Sequence, residues 1–256
     1  MNILHAIILG LVEGITEFLP VSSTAHLILM SKFLGLSQNS FISTFEVVIQ
    51  SGAILAVIFI YGKKLLDNTN LLRMVLVSFI PTAIIGFALH NTIKTVFFQS
   101  EILIVSMIGL IGLLFIGLES YFNKNKIDLS KDEGSLMMRD ALLIGLFQSF
   151  AVVPGVSRAG AVIICMMLLR YKRKFAAEYS FILAIPTILA ATALDLIKFE
   201  GVFTSARLMY FGIGFVTAFI SALFIVKWFT SYLEKNNLIV FGLYRVMLAL
   251  GFFLFL

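Results

Sequence analysis

The chain has 256 residues, of which 60% are hydrophobic and only 13% are charged, and its mean hydropathy is +1.05. A soluble domain with this composition has too few polar residues to coat its apolar surface, so soluble enzymes, secreted scaffolds and disordered tails are excluded. The formal net charge is +5, but the basic residues mostly lie in connecting segments, which is typical of membrane orientation and not of nucleic-acid binding. The composition therefore predicts a bilayer protein without a nucleic-acid partner.

The apolar runs are continuous and do not alternate in polarity, which favours helices over the strands of a barrel. Six runs are long enough for a full span, namely 42–61, 71–90, 102–121, 176–197, 208–228 and 238–256. Two further apolar regions, 3–35 and 141–169, each consist of two short runs broken by polar residues and a proline. Irregular backbone at membrane depth is tolerated only where protein or a wet cavity surrounds it. We therefore predict an all-α polytopic membrane protein with six transmembrane helices and two re-entrant helical hairpins.

The hydrophilic stretch 123–137 separates two halves, each with a broken hairpin followed by three spans. Residues that recur at an offset of 135 are Gly10, Glu13, Ser22 and Ala56, which correspond to Gly145, Gln148, Ser157 and Ala191. Because three is an odd number of spans, the second half lies upside down relative to the first. We predict a single membrane domain, 1–256, in which 1–122 and 138–256 form an inverted repeat with a site between the repeats.

Charge counting orients this topology. It places thirteen basic residues on one side and four on the other, with Arg158 and Arg245 inside apolar segments. The thirteen are Lys63, Lys64, Arg73, Lys124, Lys126, Lys131, Arg139, Arg170, Lys172, Arg173, Lys174, Lys227 and Lys235, and the four are Lys32, Lys94, Lys198 and Arg207. The excess marks the first side, which includes loop 123–137, as cytoplasmic. Both termini and the opening of the first hairpin are then expected on the outer side.

Two acidic residues, Glu13 and Glu17, lie four positions apart in the first hairpin, so a helix places them on one face. Ionisable groups at membrane depth are costly and indicate function. Two close carboxylates in a dry place cannot both ionise unless a cation lies between them; otherwise one keeps a proton. Glu13 and Glu17 are therefore candidate metal ligands, and the structural alternative is that neighbouring helices satisfy both carboxyl groups.

Three hydroxyl residues, Ser22, Ser23 and Thr24, follow Pro20 at the break of the first hairpin. Serine here is a natural N-cap, and backbone N–H groups with hydroxyls at a helix start also form an anion site. Capping alone is the simpler interpretation, but His26 lies one turn further along the same predicted helix. An imidazole beside hydroxyls and carboxylates suits general acid–base or nucleophilic catalysis.

The second hairpin is broken at PGVSR, residues 154–158. Ser157 is expected to cap a helix over 159–170, and the planar fork of Arg158 matches phosphate geometry. Pairing of Arg158 with a glutamate is the structural alternative, and a resting site can accommodate both. Hairpins from opposite sides would bring two helix N-termini, each carrying about half a positive charge, to one point. The sequence thus predicts an anion site near the midplane of the membrane.

Two further groups have open interpretations. Glu46 and Gln50, again four positions apart, either line the same cavity or bond to neighbouring helices. Arg245 can anchor a helix, pair with an acid or bind phosphate.

Three segments together resemble one protein family. The stretch EGITEFLPVSSTAH (13–26) resembles the first motif of the bacterial undecaprenyl pyrophosphate phosphatases of the bacitracin-resistance type, PGVSRAG (154–160) resembles the second motif, and FEVVIQSGAILAV (45–57) resembles a further family segment. The resemblance covers nearly the whole chain in order and spacing. Ala159 and Val162 stand where the second motif usually has hydroxyl residues, and Ala25 replaces a usual glycine in the first motif. These departures bear on phosphate binding and activity, not on the fold.

The resemblance implies an enzyme of the bacterial inner membrane that removes one phosphate from undecaprenyl pyrophosphate and so recycles the lipid carrier of peptidoglycan synthesis. It implies a divalent cation, Mg²⁺ or Ca²⁺. The catalytic residues that it implies are Glu13, Glu17, Ser23, His26 and Arg158. Ser22, Thr24, Ser157 and Arg158 are, from the residue analysis, the candidate phosphate-binding residues.

The attacking group is left open, because Ser23 or His26 can attack phosphorus, or His26 can activate water. A transporter is the rival function, since broken helices and a midplane anion site also suit a polyprenyl-phosphate flippase or an anion exchanger. The Ser–His–Glu cluster favours the enzyme, because a carrier needs no nucleophile. The expected partners are a polyprenyl diphosphate and the lipid bilayer, and a homodimer is one candidate assembly.

Overall fold

The computed structural model describes residues 1–89, 92–97, 100–198 and 204–253, and apart from one isolated bridge between Lys131 and Tyr171 their regular structure is helical. Ten α-helices follow one another in these ranges: α1 Ile3–Thr16, α2 Ser23–Phe33, α3 Ser40–Asp67, α4 Thr69–Ala88, α5 Glu101–Lys124, α6 Met138–Ser149, α7 Arg158–Leu168, α8 Arg173–Ile197, α9 Ser205–Lys235 and α10 Ile239–Phe253. Short turns of π-helix at Ile93–Phe97 and of 3₁₀-helix at Glu133–Ser135 and Phe150–Val152 connect some of them. Residue 90 of the predicted span 71–90, the side chain of Lys94 and residues 254–256 of the last predicted span lie outside the described residues.

Five helices, α3, α4, α5, α8 and α9, are long and apolar enough to cross a membrane. The chain is therefore a multi-pass membrane protein, as its composition predicts. The helices extend beyond the predicted spans, and α3, for example, covers 40–67 where 42–61 was expected. Hydropathy marks only the part of a helix that lies in hydrocarbon, whereas backbone hydrogen bonds continue through polar ends such as Lys63 and Lys64. The sixth predicted span coincides with α10, which has 15 described residues, so the count of six stays a prediction.

The two broken apolar regions are pairs of short helices. In the first region α1 packs against α2, and in the second α6 packs against α7, with irregular chain between the members of each pair. Helix α6 begins at Met138, three residues before the predicted region. The interrupted hairpins thus exist as helix pairs, while their re-entrant placement in a membrane stays a prediction.

The packing of the two halves is reciprocal. Helix α1 of the first hairpin packs on α9, and helix α6 of the second packs on α4, while α3 packs on α8 and α5 on α10. The glycines at equivalent positions permit these close approaches, because a Cβ atom on Gly10 would lie 2.6 Å from the Gly214 carbonyl oxygen and one on Gly145 would lie 2.2 Å from that of Ser78. Each hairpin is therefore held mainly by a long helix of the other half.

Aromatic side chains fill the space beside the breaks. Phe18 and Phe181, both fully buried, meet edge to face with ring centroids 5.2 Å apart. Phe115 from α5 and Val162 from α7 are buried in the same apolar cluster. This packing brings the break of the first hairpin against α8 and α7, where the polar site lies.

Candidate functional site

The chain breaks of both hairpins use the same backbone device. Ser22 immediately precedes α2 with φ of 73°, and Ser157 immediately precedes α7 with φ of 75°. This left-handed region is unusual for a residue other than glycine and indicates a locally constrained backbone. At each break, this backbone conformation directs the start of the helix that follows, α2 or α7, toward the polar site.

Arg245 on α10 joins the two breaks. Its guanidinium is fully buried and donates hydrogen bonds to the Pro20 carbonyl oxygen of the first hairpin at 3.0 Å and to the Gly155 carbonyl oxygen of the second at 2.5 Å. It also donates to the Ile108 carbonyl oxygen on α5 at 3.1 Å. An interrupted helix leaves carbonyl groups without intrahelical partners, and a buried carbonyl needs a donor. Of the three interpretations of Arg245 that the sequence leaves open, these contacts favour the anchor.

Glu17 is the centre of the polar site. The Ser23 hydroxyl donates to Glu17 Oε2 at 2.5 Å, and Arg158 Nη2 lies 3.3 Å from Glu17 Oε1. The side chains of Glu17 and Arg158 are only 7% and 11% exposed. The first hairpin thus supplies a serine and its acceptor, and the second supplies a nearly buried positive charge. The glutamate pairing of Arg158 that the sequence leaves open is present.

The Arg158 guanidinium has a second hydrogen-bond partner, and its Nε atom makes no hydrogen bond to a described residue. Its Nη1 donates to the Ser180 carbonyl oxygen on α8 at 2.6 Å, while its buried Nε atom has no hydrogen-bond partner among the described residues. The Ser180 hydroxyl beside it is also without a partner in that part of the chain. The guanidinium is therefore aimed by two elements and retains an unused donor.

Glu13 lies one helical turn before Glu17 and is fully buried. Its carboxyl group interacts electrostatically with those of Glu17 and Glu46 and with the Arg158 guanidinium. The Glu17 carboxyl group lies within hydrogen-bond reach of Glu13, and no other described residue donates to either Glu13 oxygen, although buried carboxylates are normally satisfied. The alternative in which neighbouring helices satisfy both carboxyl groups therefore fails for Glu13. Two free carboxylate oxygens suit a hard cation, although the described residues contain no group of three or more His, Cys, Asp or Glu side chains that could hold one.

The His26 side chain has a hydrogen-bond partner at each ring nitrogen. Its Nδ1 atom lies 2.8 Å from the Ser22 carbonyl oxygen and its Nε2 atom lies 2.7 Å from the Tyr244 hydroxyl. A carbonyl oxygen only accepts, so Nδ1 carries the proton. Both ring nitrogens are therefore engaged by partners other than the Ser23 hydroxyl and the two glutamates, and the catalytic role of the imidazole stays a prediction.

The predicted phosphate-binding hydroxyls behave differently from one another. The Ser157 side chain accepts from the Gly160 N–H at 3.1 Å, so the predicted cap is present, on a helix that begins at Arg158. The Ser22 side chain makes no capping hydrogen bond, which corrects the expectation for the first break. Ser22 is buried and Thr24 is half-buried. The roles of all three in phosphate binding stay predictions.

Glu46 bonds to the first hairpin. The Ser31 hydroxyl donates to Glu46 Oε1 at 2.8 Å, and Gln38 donates to the same oxygen at 3.1 Å. These bonds favour the neighbouring-helix interpretation for Glu46, which nevertheless lies within electrostatic range of Glu13. Gln50 is half-buried, one turn further along α3.

Sequence reasoning missed Tyr244 and Ser180. Tyr244 contacts His26 across 218 positions of the chain, and Ser180 contacts Arg158 across 22. Neither lies in a motif or a polar cluster. The neighbouring Arg245, an arginine within an apolar run, was the one sequence signal that pointed to this part of α10.

Comparisons with known proteins agree with the motifs. The family model described as bacitracin resistance protein BacA matches residues 6–251. Undecaprenyl-diphosphatase of Aquifex aeolicus is 45% identical over 254 residues, which are 98% of this chain and 98% of the relative. The undecaprenyl-diphosphatases of a Sulfurihydrogenibium species and of Persephonella marina are each 46% identical, over 99% and 100% of this chain and 99% of each relative.

Proposed function

The chain belongs to the bacitracin resistance protein BacA family, and from this premise we propose that it is an integral membrane undecaprenyl-diphosphatase. It hydrolyses undecaprenyl diphosphate to undecaprenyl phosphate and inorganic phosphate, and so recycles the lipid carrier of peptidoglycan synthesis. The observation that carries the proposal is the link through Glu17, whose carboxylate accepts from Ser23 and pairs with Arg158. Full-length relatives with the name undecaprenyl-diphosphatase support it.

The protein is proposed to lie in the bacterial inner membrane with six spans, two re-entrant hairpins and an inverted repeat of 1–122 and 138–256. The reciprocal packing of α1 on α9 and of α6 on α4 supports the repeat, because an inverted pair exchanges equivalent contacts. The excess of basic residues supports a cytoplasmic loop 123–137 with both termini and the site opening on the periplasmic side. A homodimer stays a prediction.

The proposed nucleophile is Ser23. Its hydroxyl proton passes to Glu17 as Oγ attacks the terminal phosphorus, the anhydride P–O bond breaks, and undecaprenyl phosphate leaves. Water then attacks the phosphoserine, Glu17 returns its proton to Ser23 Oγ, and dihydrogen phosphate departs with both protons of the water. Because the Ser23 hydroxyl already donates to Glu17, whereas the His26 ring nitrogens bond to Ser22 and Tyr244, Glu17 is the better base in this geometry. A positioned base of this kind contributes about 10²- to 10⁴-fold to the rate.

Positive charge at the head group is proposed to come from Arg158 and from the starts of α2 and α7, where Ser22, Thr24 and Ser157 lie. Phosphoryl transfer depends mainly on positioning and on stabilisation of charge. The unused Nε–H of Arg158 is a donor that a phosphate oxygen can engage. Ala159 and Val162 offer no hydroxyl here, so this chain relies more on the guanidinium.

A divalent cation, Mg²⁺ or Ca²⁺, fits beside Glu13, because this buried carboxyl group lies close to that of Glu17 and receives no hydrogen bond from any other described residue. Glu13 and Glu17 would hold it, together with oxygens of the substrate, as is usual for Mg²⁺. When bound, the cation would neutralise charge on the diphosphate.

The test is phosphate release from a prenyl diphosphate by the purified protein in detergent, with and without a chelator. Detergent removes the two compartments that a carrier needs, so the rival flippase or anion exchanger would release no phosphate. Ser23→Ala should reduce release by about 1,000-fold, within the contribution of a positioned general base, because Glu17 then has no hydroxyl to deprotonate. The matched control is Ser43→Ala, since Ser43 is exposed on α3. Turnover near the wild-type value in Ser23→Ala would reject serine attack and favour water or His26.

A further inference from the structure

Tyr244 on α10 provides the second hydrogen-bond partner of the His26 imidazole. Its hydroxyl lies 2.7 Å from Nε2, and the two ring planes are nearly parallel, with an interplanar angle of 10°. The other ring nitrogen is fixed on the Ser22 carbonyl oxygen, which also accepts from the His26 backbone N–H at 3.2 Å. The imidazole therefore has a defined tautomer and a defined plane, and each depends on one hydrogen bond.

The backbone that carries Tyr244 is itself fixed relative to the site. The next residue, Arg245, is fully buried and binds carbonyl oxygens of both chain breaks, at Pro20 and Gly155. Rotation or sliding of α10 at this point would break those bonds. The Tyr244 hydroxyl is thus held at a set distance from the start of α2, which carries Ser23 on the same turn as His26.

The pair is also accessible. Tyr244 is 40% exposed and His26 is half-buried, whereas Glu17 and Ser23 are buried. A tyrosine hydroxyl can donate and accept, so it can stay bound to Nε2 or turn to a phosphate oxygen when a head group arrives. The phenol is therefore more exposed than Glu17 and Arg158, whose side chains are only 7% and 11% exposed.

We infer that Tyr244 is a positioning residue for the phosphatase reaction, which holds the His26 imidazole in the orientation that the diphosphate head group meets. The inference rests on the proposed function for its catalytic consequence only. The Tyr244–His26 bond itself can be measured without turnover.

The first experiment is a double-mutant cycle on phosphate release. Tyr244→Phe removes one hydroxyl and keeps the ring, and loss of one such hydrogen bond should lower kcat/KM roughly tenfold. In a His26→Ala background the same substitution should cause no further loss, because its effect passes through the imidazole. The matched control is Tyr121→Phe on α5, where the tyrosine is 58% exposed, and it should leave kcat/KM unchanged. An equal loss from Tyr244→Phe in both backgrounds, or no loss in either, overturns the inference.

The second experiment does not require activity. The chain has three histidines, and ¹⁵N labelling of their rings with His26→Ala for assignment identifies the Nε2 resonance of His26. Tyr244→Phe should shift this resonance from the position of a hydrogen-bonded nitrogen to that of a free one, and Tyr121→Phe should not. An unchanged resonance in Tyr244→Phe overturns the inference. A shifted resonance in a protein that releases no phosphate would keep the contact and reject the proposed function instead.

Discussion

The two chain breaks share a backbone and differ in chemistry. Ser22 and Ser157 have nearly the same φ, each precedes a helix of 11 residues, and Arg245 binds a carbonyl oxygen of each break. The first break carries Glu13 and Glu17, whereas the second has Gln148 at the position equivalent to Glu13. Gln148 donates to Thr82 at 2.8 Å and to Thr187 at 3.3 Å. Both breaks share the interrupted backbone, and their side chains differ, so the first supplies the proposed base and nucleophile and the second supplies the proposed positive charge.

The difference extends to how each serine is used. At the second break the Ser157 side chain caps its own helix, and the next residue, Arg158, reaches across to the first hairpin. At the first break the Ser22 side chain makes no cap bond, and its carbonyl oxygen instead holds His26. The two breaks therefore differ at the serine itself, since the Ser157 hydroxyl is used within its own helix and the Ser22 hydroxyl makes no cap bond.

Removal of the acceptor at the first break is expected to have the largest effect. Glu17→Gln keeps the size of the side chain but cannot take a proton from Ser23, so phosphate release should fall by about 1,000-fold, within the range for a general base. The measurement is free phosphate released by the purified variant in detergent. The control is Glu234→Gln, an exposed glutamate paired with Lys174 on a surface far from the motifs. Turnover near the wild-type value in Glu17→Gln would contradict the site.

Substitution of the arginine at the second break by lysine should have a smaller effect. Arg158→Lys keeps the positive charge but loses the fork that reaches both Ser180 and Glu17. Loss of one hydrogen bond to a charged group corresponds to about a 10- to 100-fold reduction in kcat/KM. Steady-state kinetics check it, with Arg139→Lys as the control because that side chain is 72% exposed. A wild-type kcat/KM in Arg158→Lys would show that charge alone suffices at the second break.

The order of the elements and the positions of the two breaks could be predicted from the sequence, because long apolar runs and interrupted ones leave local signals. The helix that follows each break and the cap at Ser157 could be predicted for the same reason, because each depends on residues close together in the sequence. The pairing of Arg158 with a glutamate could be named as one of two outcomes, since a charge at membrane depth needs a partner.

Contacts between distant helices could not be predicted. The Tyr244–His26 bond and the bonds of Arg245 to Pro20 and Gly155 depend on how α10 packs beside both hairpins, and no periodicity in the sequence encodes that register. The absence of a cap bond from Ser22 could not be predicted from the sequence either. Ser22 and Ser157 have nearly equal φ and differ in the direction of the hydroxyl.

The smallest effect separates the two serines themselves. Ser157→Ala removes a cap bond to the Gly160 N–H and should lower the free energy of unfolding by about 1 kcal/mol, whereas Ser22→Ala removes no cap bond and should leave stability unchanged. Thermal unfolding of both variants in the same detergent measures the difference as a lower midpoint for Ser157→Ala alone. Equal midpoints would mean that the two breaks are energetically alike. Since Ser22 is a proposed phosphate ligand, Ser22→Ala should instead raise KM. Substitution at the second break should thus affect stability, and substitution at the first should affect substrate binding.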